Sequence, residues 1–530
     1  MFAMLAQLFD PSKIGRAKGI MEVCIGPDAI RLEEFVAVAR YGAKVTFSPE
    51  YIERVVHSRA LADKFLAENR VVYGLTTGFG DNVRKIIPQE EAVLLQVNII
   101  RGCAVSVGDP LSVESVRAVW LMQLLSLGSG FSGIRLETLS MIAECLNRGV
   151  TPYVPQDGSV QYLAIEAQTN LVLMGEGQAW YNGKLMSGAD ALKAAGLSAW
   201  TPACKEGLSL TNGANSATAV SALALYDCLV STQTADIAAA MAYEALRGTI
   251  LGCDERLHSL KIHSEQHGCA ANIRKMLSDS GIMKKNIHAK VQDPLVLRSI
   301  PAAHGASKRF VKDCAHSILE EMASCSDNPV LWPEGGDGLA LMGGNFDSTY
   351  YASGSADILC MAAANTAKFS ERRTDKLTNR YLSGYPAFLA ENPGVDNGYM
   401  LVQYAAAGLL NEIRGLCLPA TADSIPTCAN WEDPVSMGWW AGKKALCVAQ
   451  KLYYVIGMEL MTMARAFDLM PVEEREFSSA TLAVHDKIRD VVPPITGDRH
   501  FGPDIEKVKT LVAEGEILEV VENMTGTLAF

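Results

Sequence analysis

The sequence predicts a mainly α-helical fold, with a long central helical bundle and a smaller mixed N-terminal region. Hydrophobic residues make up 49% of the 530 residues and aromatic residues only 7%, a composition that suits closely packed helices better than a sandwich or a barrel. From residue 113 onward, apolar residues recur mostly at the helical spacings of three and four. Several of these segments are long and apolar on most faces, so they must be covered nearly all round.

The elements follow in chain order. Residues 1 to about 110 mix short segments with turn signals such as Gly78-Phe79-Gly80. After them, the periodicity predicts helices over residues 113–127, 136–147, 216–242, 307–322, 351–368, 399–416 and 436–467. No linker divides the chain cleanly. We therefore assign residues 1–230 to an N-terminal region, and residues 231–530 to the central bundle and C-terminal helices, which share one core.

Charge and composition exclude several classes of partner. The net charge is −12 and the acidic residues are interspersed, so nucleic acid and anionic membrane surfaces are not expected partners. Thirteen scattered cysteines without a Cys-x-x-Cys pair predict reduced thiols and a cytoplasmic protein. Residues 1–9 are apolar with no preceding basic residue, and we interpret them as an N-terminal arm and not as a signal peptide. No apolar run reaches the roughly 18 residues of a membrane-spanning helix.

A metal site is not expected. The nine histidines are spread along the chain. His258, His263 and His267 lie in one segment, but this segment lacks a plausible set of partners at ligand spacing.

Three segments carry residue types that suit catalysis or substrate binding. Tyr73 lies in a loop with three glycines, Val-Tyr-Gly-Leu-Thr-Thr-Gly-Phe-Gly-Asp; such a loop can close over a ligand, and a phenol shielded from water and near cationic groups can act as a base. Asn212 precedes a long predicted helix, where it is either an N-cap or a site residue. Arg298 lies in Gln-Asp-Pro-Leu-Val-Leu-Arg-Ser-Ile-Pro, and its parallel donors suit a carboxylate. A surface tyrosine and a surface or ion-paired arginine are the alternatives for Tyr73 and Arg298.

These segments resemble motifs of the aromatic amino acid ammonia-lyases, the superfamily of histidine and phenylalanine ammonia-lyases. The first resembles Tyr-Gly-x-x-Thr-Gly-Phe-Gly, the second an Asn-Gly pair that opens a long helix, and the third Gln-Asp-x-Tyr-Ser-x-Arg-Cys-x-Pro. The resemblance extends from about residue 25 to 525. It implies an ammonia-lyase-like fold and a homotetramer whose active sites combine several chains. It also implies that Tyr73 is the general acid/base at the substrate β-carbon, that Asn212 lies near the amino group and that Arg298 binds the carboxylate.

One segment of the family pattern is incomplete. Where the family has Gly-Ser-Val-Gly-Ala-Ser-Gly-Asp-Leu-Ala, residues 158–164 read Gly-Ser-Val-Gln-Tyr-Leu-Ala and are three residues shorter. The missing Ala-Ser-Gly is the tripeptide that cyclises into the electrophilic methylidene-imidazolone of these enzymes. Gln161 and Tyr162 stand where Gly and Asp would flank it. We therefore expect an enzyme without a cofactor.

Other departures from the family cluster around the same place. Leu295 replaces the tyrosine of the third motif, Cys103 replaces the His of Ser-His-Ala, and Trp431 replaces the Gln of Ala-Asn-Gln-Glu-Asp. Leu295 would relieve crowding around a bulky amine. Tyr162, Phe346 or Trp431 could face a cation as aromatic walls. The resemblance thus implies a remodelled binding pocket in a retained frame.

Two further positions concern the substrate ring. Glu412 stands at the place of the glutamate that histidine ammonia-lyases direct at the imidazole, and a carboxylate there favours an imidazole-type ring over a phenyl ring. Lys376 replaces the last Arg of Glu-Arg-Arg-Ile-Asp-Arg, and a compact ammonium suits a thiolate or thione sulfur. A solvated lysine and an exposed helical glutamate are the alternatives for these two residues.

The chemistry that survives without the electrophile is restricted. A primary amine attacks the electrophile to become a better leaving group, whereas a trimethylammonium group has no lone pair and already leaves as a neutral amine. The resemblance is then to the ergothionase branch of the superfamily, which eliminates trimethylamine from ergothioneine and leaves thiourocanate. Two alternatives remain open. One is a histidine or aromatic amino acid ammonia-lyase or aminomutase that carries the methylidene-imidazolone, and the other is a non-catalytic ligand-binding homologue.

Overall fold

The computed structural model describes residues 10–333, 337–347 and 349–530. The fold is mainly helical, as predicted, with 61% of the described residues in α- or 3₁₀-helices. The α-helices are α1 (Leu32–Tyr41), α2 (Pro49–Ala67), α3 (Ala92–Cys103), α4 (Val113–Leu127), α5 (Leu136–Arg148), α6 (Ala164–Asn170), α7 (Gly188–Ala194), α8 (Glu206–Thr211), α9 (Asn215–Ala245), α10 (Glu255–His258), α11 (Ser264–Met276), α12 (Gly281–Asn286), α13 (Leu295–Arg298), α14 (Ile300–Met322), α15 (Thr349–Thr378), α16 (Arg380–Ser383), α17 (Met400–Gly415), α18 (Gly438–Leu469), α19 (Ser479–Arg489), α20 (Gly502–Ala513) and α21 (Glu516–Thr525). The predicted N-terminal arm, residues 1–9, lies outside the described residues.

Short strands accompany the N-terminal helices. They are β1 (Glu22–Ile25), β2 (Lys44–Phe47), β3 (Val107–Pro110), β4 (Thr151–Pro152), β5 (Pro155–Asp157), β6 (Gln178–Tyr181), β7 (Lys184–Ser187), β8 (Val330–Trp332) and β9 (Leu339–Leu341). β1 and β2 pair in parallel, with Glu22 opposite Lys44, and the β3–β5, β4–β6–β7 and β8–β9 sheets are antiparallel. The segments that follow β5 and β9 lead into the pocket described below, while the long helices form the core.

Helix α9 is the centre of the bundle, and all of its residues are buried. It packs mainly against α18 and α15, with α14 beside them. Alanine, serine and threonine dominate its sequence, and their small side chains let the neighbouring helices approach on every side. Charged residues in this core are paired: Arg373 on α15 with Glu459 on α18 at 2.5 Å, and Asp236 with Lys308 at 2.6 Å, all fully buried.

The predicted helices can be compared with these bounds. The prediction for 113–127 is confirmed to the residue, and the prediction for 136–147 ends one residue before α5 does. α14 begins at Ile300, not at residue 307, because a proline at 301 is tolerated in a first turn. α15 continues to Thr378, ten residues beyond the predicted end, because the charged residues that interrupt the apolar period there are partly buried in ion pairs. The division at residue 230 stays a prediction; α9 runs across it.

One long N-terminal helix was not predicted. α2 spans Pro49–Ala67, within the region expected to hold only short segments. Ser48 is its N-cap and accepts a hydrogen bond from Tyr51 N at 3.2 Å, and Pro49 takes the first helical position. Ser-Pro-Glu is a recognisable helix start, so the sequence carried a signal for this helix.

Two other expectations concern the environment of the chain. Within the described ranges, no helix is long and apolar enough to cross a membrane. All thirteen cysteines are free thiols in this structure, and seven of them are buried. The cytoplasmic location stays a prediction.

Candidate active site

A cavity of about 740 Å³ lies where the N-terminal loops meet the start of α9. It is lined by Val71, Tyr73, Thr77, Phe79, Gly80, Val83, Ile99, Cys103, Tyr162, Leu163, Leu208, Asn212, Asn328, Met342, Gly343, Phe346, Cys428, Trp431 and Glu432. Six of the ten predicted site residues therefore meet in one place: Tyr73, Cys103, Tyr162, Asn212, Phe346 and Trp431. Their roles stay predictions.

Tyr73 is held by its own loop. Its hydroxyl oxygen accepts a hydrogen bond from the Gly80 N–H at 3.0 Å, and its ring packs edge-on against Phe79. The buried Gln96 ties the loop to α8, donating to Gly74 O at 2.9 Å and accepting from Leu208 N at 3.0 Å. These contacts fix the phenol at the cavity wall.

The environment of Tyr73 raises its pKa. Burial is the main cause; the hydrogen bond from Gly80 acts in the opposite direction, and Cys428 and Glu432 add to the rise. A neighbouring cation would favour the phenolate, but none of the described lining residues is a lysine, an arginine or a histidine.

A strained turn occupies the position of the family tripeptide. Leu163 has φ 74° and ψ −65°, and Ala164 N donates to Tyr162 O at 3.1 Å across it. This is a γ-turn with positive φ, the rarer and more strained of the two kinds. Leu163 N also donates to Thr211 O at 3.1 Å. The shortened chain therefore passes directly from β5 into α6, with Tyr162 and Leu163 in the cavity wall.

The residues of this turn do not fit the cofactor of the family. Methylidene-imidazolone forms from an Ala-Ser-Gly tripeptide, and residues 158–164 contain none. The chain has an Ala-Ser-Gly at residues 352–354, but it lies inside α15, where Ser353 is fully buried and its hydroxyl donates to Tyr350 O. A regular helix commits each peptide N–H to the carbonyl four residues before it, so this tripeptide is not free to fold onto itself. It also lies outside the cavity lining.

Aromatic rings and carboxylates share one side of the cavity. Tyr162 is 4% exposed and packs edge-on against Phe346, with ring centroids 5.1 Å apart. Burial raises the pKa of Tyr162 well above its usual value, and Glu432 and Asp347 raise it further. Burial also raises the pKa of Asp347, to about 6, and Glu432 contributes to that rise. This side of the cavity therefore combines π-faces with negative charge.

Glu432 and Asp347 were not selected from the sequence. Glu432 belongs to the Asn-Trp-Glu-Asp segment that drew attention to Trp431, so the motif itself held the signal. Its carboxylate accepts a hydrogen bond from the Thr427 hydroxyl at 3.0 Å. Asp347 directly follows Phe346, and its carboxylate accepts a hydrogen bond from the Thr349 hydroxyl at 3.3 Å.

Two further predicted residues of the cavity lining, Asn212 and Cys103, are largely shielded from solvent. The Asn212 amide donates to Asn328 O at 3.0 Å and is 4% exposed. It is not the N-cap of α9, which begins three residues later after Ala214. Cys103 ends α3, and burial raises the pKa of its thiol to about 11, with Glu432 and Cys428 adding to the rise. This thiol is therefore protonated at neutral pH.

Four predicted residues lie outside the cavity lining. Arg298 is exposed, and Leu295 is 60% exposed at the start of α13. Glu412 on α17 is exposed and forms an ion pair with Lys451. Lys376 is half-buried on α15. Within a single chain these residues do not meet Tyr73.

The one group of potential metal ligands in the described ranges lies elsewhere, in the helical bundle. It consists of Asp236, Cys269 and His304, all buried. Asp236 already accepts from His304 Nδ1 at 2.9 Å and from Lys308 Nζ at 2.6 Å, and the Arg373 guanidinium faces His304 Nε2 at 3.3 Å. Two neighbouring cations and satisfied hydrogen bonds characterise a structural network and not a metal site.

Comparisons with known proteins place the chain in one family. A family model described as aromatic amino acid lyase matches residues 30–490. A histidine ammonia-lyase of Symbiobacterium thermophilum is 41% identical over 502 residues, which are 94% of this chain and 98% of that relative. The crystal structure of histidine ammonia-lyase from Trypanosoma cruzi matches with a TM-score of 0.88 and 32% identity, over 95% of each chain.

A further solved structure shares the fold. Ergothionase from Treponema denticola, in complex with desmethyl-ergothioneine sulfonic acid, matches with a TM-score of 0.84 and 24% identity, over 94% of this chain and 100% of that chain. At this identity the likeness concerns the fold alone. The family match and the identity to histidine ammonia-lyases establish more: the chain belongs to the aromatic amino acid lyase family and is a carbon–nitrogen lyase.

Proposed function

We propose that the protein eliminates trimethylamine from ergothioneine, giving thiourocanate, without a methylidene-imidazolone cofactor. A primary amine needs the electrophile before it can leave, whereas a trimethylammonium group leaves as a neutral amine. One observation carries the proposal: a turn that cannot form the electrophile occupies its position, and that turn brings Tyr162 against Phe346 and close to Glu432.

The cavity has the character of a cation site. Its aromatic lining residues are Tyr73, Phe79, Tyr162, Phe346 and Trp431. A ring whose face contacts a quaternary ammonium group contributes about 0.5–2 kcal/mol to its binding. Glu432 adds negative charge, and no cationic side chain is among the described lining residues. A ligand whose positive charge cannot be lost is therefore favoured over a neutral amine.

In the proposed mechanism, the Tyr73 phenolate takes the β-proton of the substrate. The electron pair of that C–H bond becomes the Cα=Cβ double bond, the C–N bond breaks, and its electron pair leaves with trimethylamine. The raised pKa of Tyr73 makes its phenolate scarce in the free chain. The fixed positive charge of the bound substrate opposes this effect, so the substrate itself promotes formation of the base.

The residues outside the cavity belong to this proposal through assembly. We propose a homotetramer in which other subunits bring Arg298 to the substrate carboxylate, Glu412 and Lys376 to the thioimidazole, and Leu295 to the methyl groups. Arg298, Leu295 and Glu412 are exposed and Lys376 is half-buried, so they are available to another subunit, which supports this arrangement. The Glu412–Lys451 ion pair would have to open for Glu412 to reach a ring N–H, and exposed pairs of this kind are weak.

A second candidate is deamination of histidine. The family relatives named histidine ammonia-lyase, at up to 41% identity among those compared, favour this activity more than the ergothionase likeness does. It requires an electrophile that residues 158–164 do not supply. The mass of the intact chain tests this requirement, because conversion of Ala352-Ser353-Gly354 into methylidene-imidazolone would lower it by two water molecules, one from ring closure and one from dehydration of the serine.

Turnover separates the two candidates. The full-length protein is incubated with ergothioneine, histidine or phenylalanine, while absorbance of the conjugated acid and release of trimethylamine or ammonia are followed. Trimethylamine and thiourocanate from ergothioneine alone support the proposal. Ammonia from histidine supports the second candidate and refutes the first, and absence of any turnover refutes both.

Subunit mixing tests the shared site. Tyr73→Phe and Arg298→Ala chains are each inactive if both residues are needed. When the two are unfolded together and reassembled, roughly a quarter of the sites would combine an intact Tyr73 with an intact Arg298 from another chain. Recovered activity near that fraction supports a composite site, and no recovery after successful reassembly contradicts it.

A further inference from the structure

We propose that Asp81 is a positioning residue, whose carboxylate holds the Trp431 indole in the cavity wall and links it to the loop that orients Tyr73. The inference rests on the proposed function, since it assigns Trp431 to the side of the site that faces the departing amine. It concerns two loops, which we name by their residues: the tyrosine loop (73–82) and the tryptophan loop (427–432).

One hydrogen bond joins the two loops through their side chains. Trp431 Nε1 donates to Asp81 Oδ1 at 3.0 Å. Asp81 directly follows Gly80, whose N–H donates to the Tyr73 hydroxyl at 3.0 Å. Gly80 and Asp81 are neighbours in one short 3₁₀ turn, Gly80–Asn82. The first residue holds the Tyr73 phenol and the second holds the Trp431 indole. A shift of this turn would move both aromatic groups together.

The two loops are also closely packed against each other, at Gly80 and Cys428. Gly80 has φ 53°, and a Cβ built on it would lie 2.5 Å from Cys428 Sγ, so a glycine is needed for this approach. Cys428 is the second residue of the tryptophan loop and follows Thr427, whose N–H donates a hydrogen bond to Glu432 O at 2.8 Å. The contact is thus a packed surface and not a single isolated hydrogen bond.

The tryptophan loop has a backbone that needs outside support. Cys428, Ala429 and Asn430 have φ of 51°, 54° and 67° in succession. Consecutive left-handed residues other than glycine are strained and persist only where surrounding contacts hold them. The loop closes on itself through Thr427 and Glu432, and the Asp81 bond fixes its side-chain end.

Burial alone does not orient the indole. Trp431 is 52% exposed, so packing leaves its ring free on one side. An indole has a single N–H donor, and Asp81 takes it. The hydrogen bond is therefore the contact that decides where the ring lies.

The test compares variants that remove the bond from either end. Asp81→Ala removes the acceptor, Asp81→Asn keeps an acceptor oxygen without charge, and Trp431→Phe keeps a ring without the donor. We expect Asp81→Ala and Trp431→Phe each to raise the KM for ergothioneine roughly threefold to tenfold with kcat nearly unchanged, and Asp81→Asn to stay within about twofold of the parent. The KM of the double variant Asp81→Ala/Trp431→Phe should be no higher than that of either single variant, because both substitutions remove the same hydrogen bond.

A second readout does not depend on turnover. Hydrogen–deuterium exchange of the full-length protein should accelerate at the amides of residues 78–82 and 428–432 in Asp81→Ala and in Trp431→Phe, and stay at the parent rate in Asp81→Asn. Glu144→Ala, which removes an exposed carboxylate paired with Arg148 on α5, is the control and should change neither loop.

The outcomes separate this inference from the proposed function. Coupled exchange in both loops without turnover of ergothioneine would leave the inference standing and remove the proposed function. Turnover with unchanged exchange and unchanged KM would overturn the inference alone. Additive losses in the double variant, or equal losses in Asp81→Asn and Asp81→Ala, would also overturn it, because neither fits one shared hydrogen bond.

Discussion

Buried polar groups are paired with opposite charges in the central bundle, whereas those of the described cavity wall are not. In the bundle, Arg373 and Glu459 are fully buried and joined by two hydrogen bonds, and the pKa of Asp236 is lowered because Lys308 and His304 outweigh the effect of burial. In the wall, the pKa values of Asp347 and Tyr162 are raised, and no cation among the described lining residues faces them.

The backbone shows the same contrast. α9 and α18 run for 31 and 32 residues with regular helical geometry. The wall is made of short loops with left-handed residues, including Leu163 and the run from Cys428 to Asn430. The bundle is stabilised by close packing and keeps its buried charges paired, and the wall keeps carboxylates and strained turns that a ligand can complement. Substitutions should therefore affect stability in one region and activity in the other.

The largest effect is expected in the wall, from Tyr73→Phe. Loss of the base should lower kcat by about 10²- to 10⁴-fold, because the β-proton loses its acceptor, while the unfolding midpoint stays near that of the parent. Steady-state kinetics with ergothioneine measure kcat, and unfolding in urea measures the midpoint. Tyr454→Phe removes a hydroxyl that donates to Glu506 outside the cavity and is the matched control. Full activity of Tyr73→Phe would refute its assignment as the base.

The next effect is expected in the bundle, from Arg373→Met. The variant leaves Glu459 buried without its partner, which should cost about 3–5 kcal/mol of unfolding free energy. The double variant Arg373→Met/Glu459→Met should recover most of the loss. Arg309→Met breaks an exposed pair with Asp313 and should cost no more than about 1 kcal/mol. Equal losses in the buried and exposed pairs, measured by chemical denaturation, would break the contrast between the regions.

A third prediction concerns Glu166, where the wall meets the bundle. Glu166 is fully buried on α6 and accepts a hydrogen bond from Ser216 N at 2.8 Å, so it caps α9 in place of Ala214, whose side chain cannot. Its second oxygen has no partner among the described residues. Burial raises the pKa of Glu166 to about 7, and the hydrogen bonds from Ser216 only partly oppose this.

The sign of the pH effect follows from that pKa. Below the usual carboxyl pKa of 4.5, both the folded and the unfolded chain hold the proton; as pH rises from there to about 7, the unfolded chain ionises first and stability falls. Glu166→Gln cannot ionise and keeps the acceptor. It should therefore gain stability relative to the parent across this window, by about 3 kcal/mol at pH 8. Unfolding free energies at pH 4 and pH 8 measure the gain, and a difference that does not change with pH would contradict it.

The sequence predicted the helices of the bundle and part of the cavity wall, by different kinds of signal. Periodicity located the long helices because apolar residues face a core on most sides, and 113–127 matched α4 to the residue. It ended α15 too early, since the charges near Arg373 satisfy each other inside the bundle and look like a surface in sequence. Pairing between distant residues leaves no local signal.

The cavity could be predicted in part. Tyr73, Tyr162, Asn212 and Trp431 meet there with Cys103 and Phe346, because family motifs carry spatial information that spacing lacks. The turn at Leu163 could not be foreseen, because a positive φ is usually marked by glycine and leucine gives no such mark. Arg298, Leu295, Lys376 and Glu412 lie outside the cavity lining of one chain, and their positions in the sequence did not indicate this separation from Tyr73.

The smallest effect, and the one most specific to a cation, is expected from Phe346→Leu. Leucine keeps most of the apolar contact with Tyr162 but has no π-face, so binding of a trimethylammonium ligand should weaken by about 0.5–2 kcal/mol. The comparison that isolates the charge uses a neutral tert-butyl analogue of the same shape as a competitive inhibitor, whose affinity should change little. Trp332→Leu removes a ring stacked on Phe131, away from the cavity lining, and is the matched control. If Phe346→Leu weakens the binding of both ligands equally, the ring contributes packing alone. That result would contradict the proposal that the cavity wall recognises a positive charge.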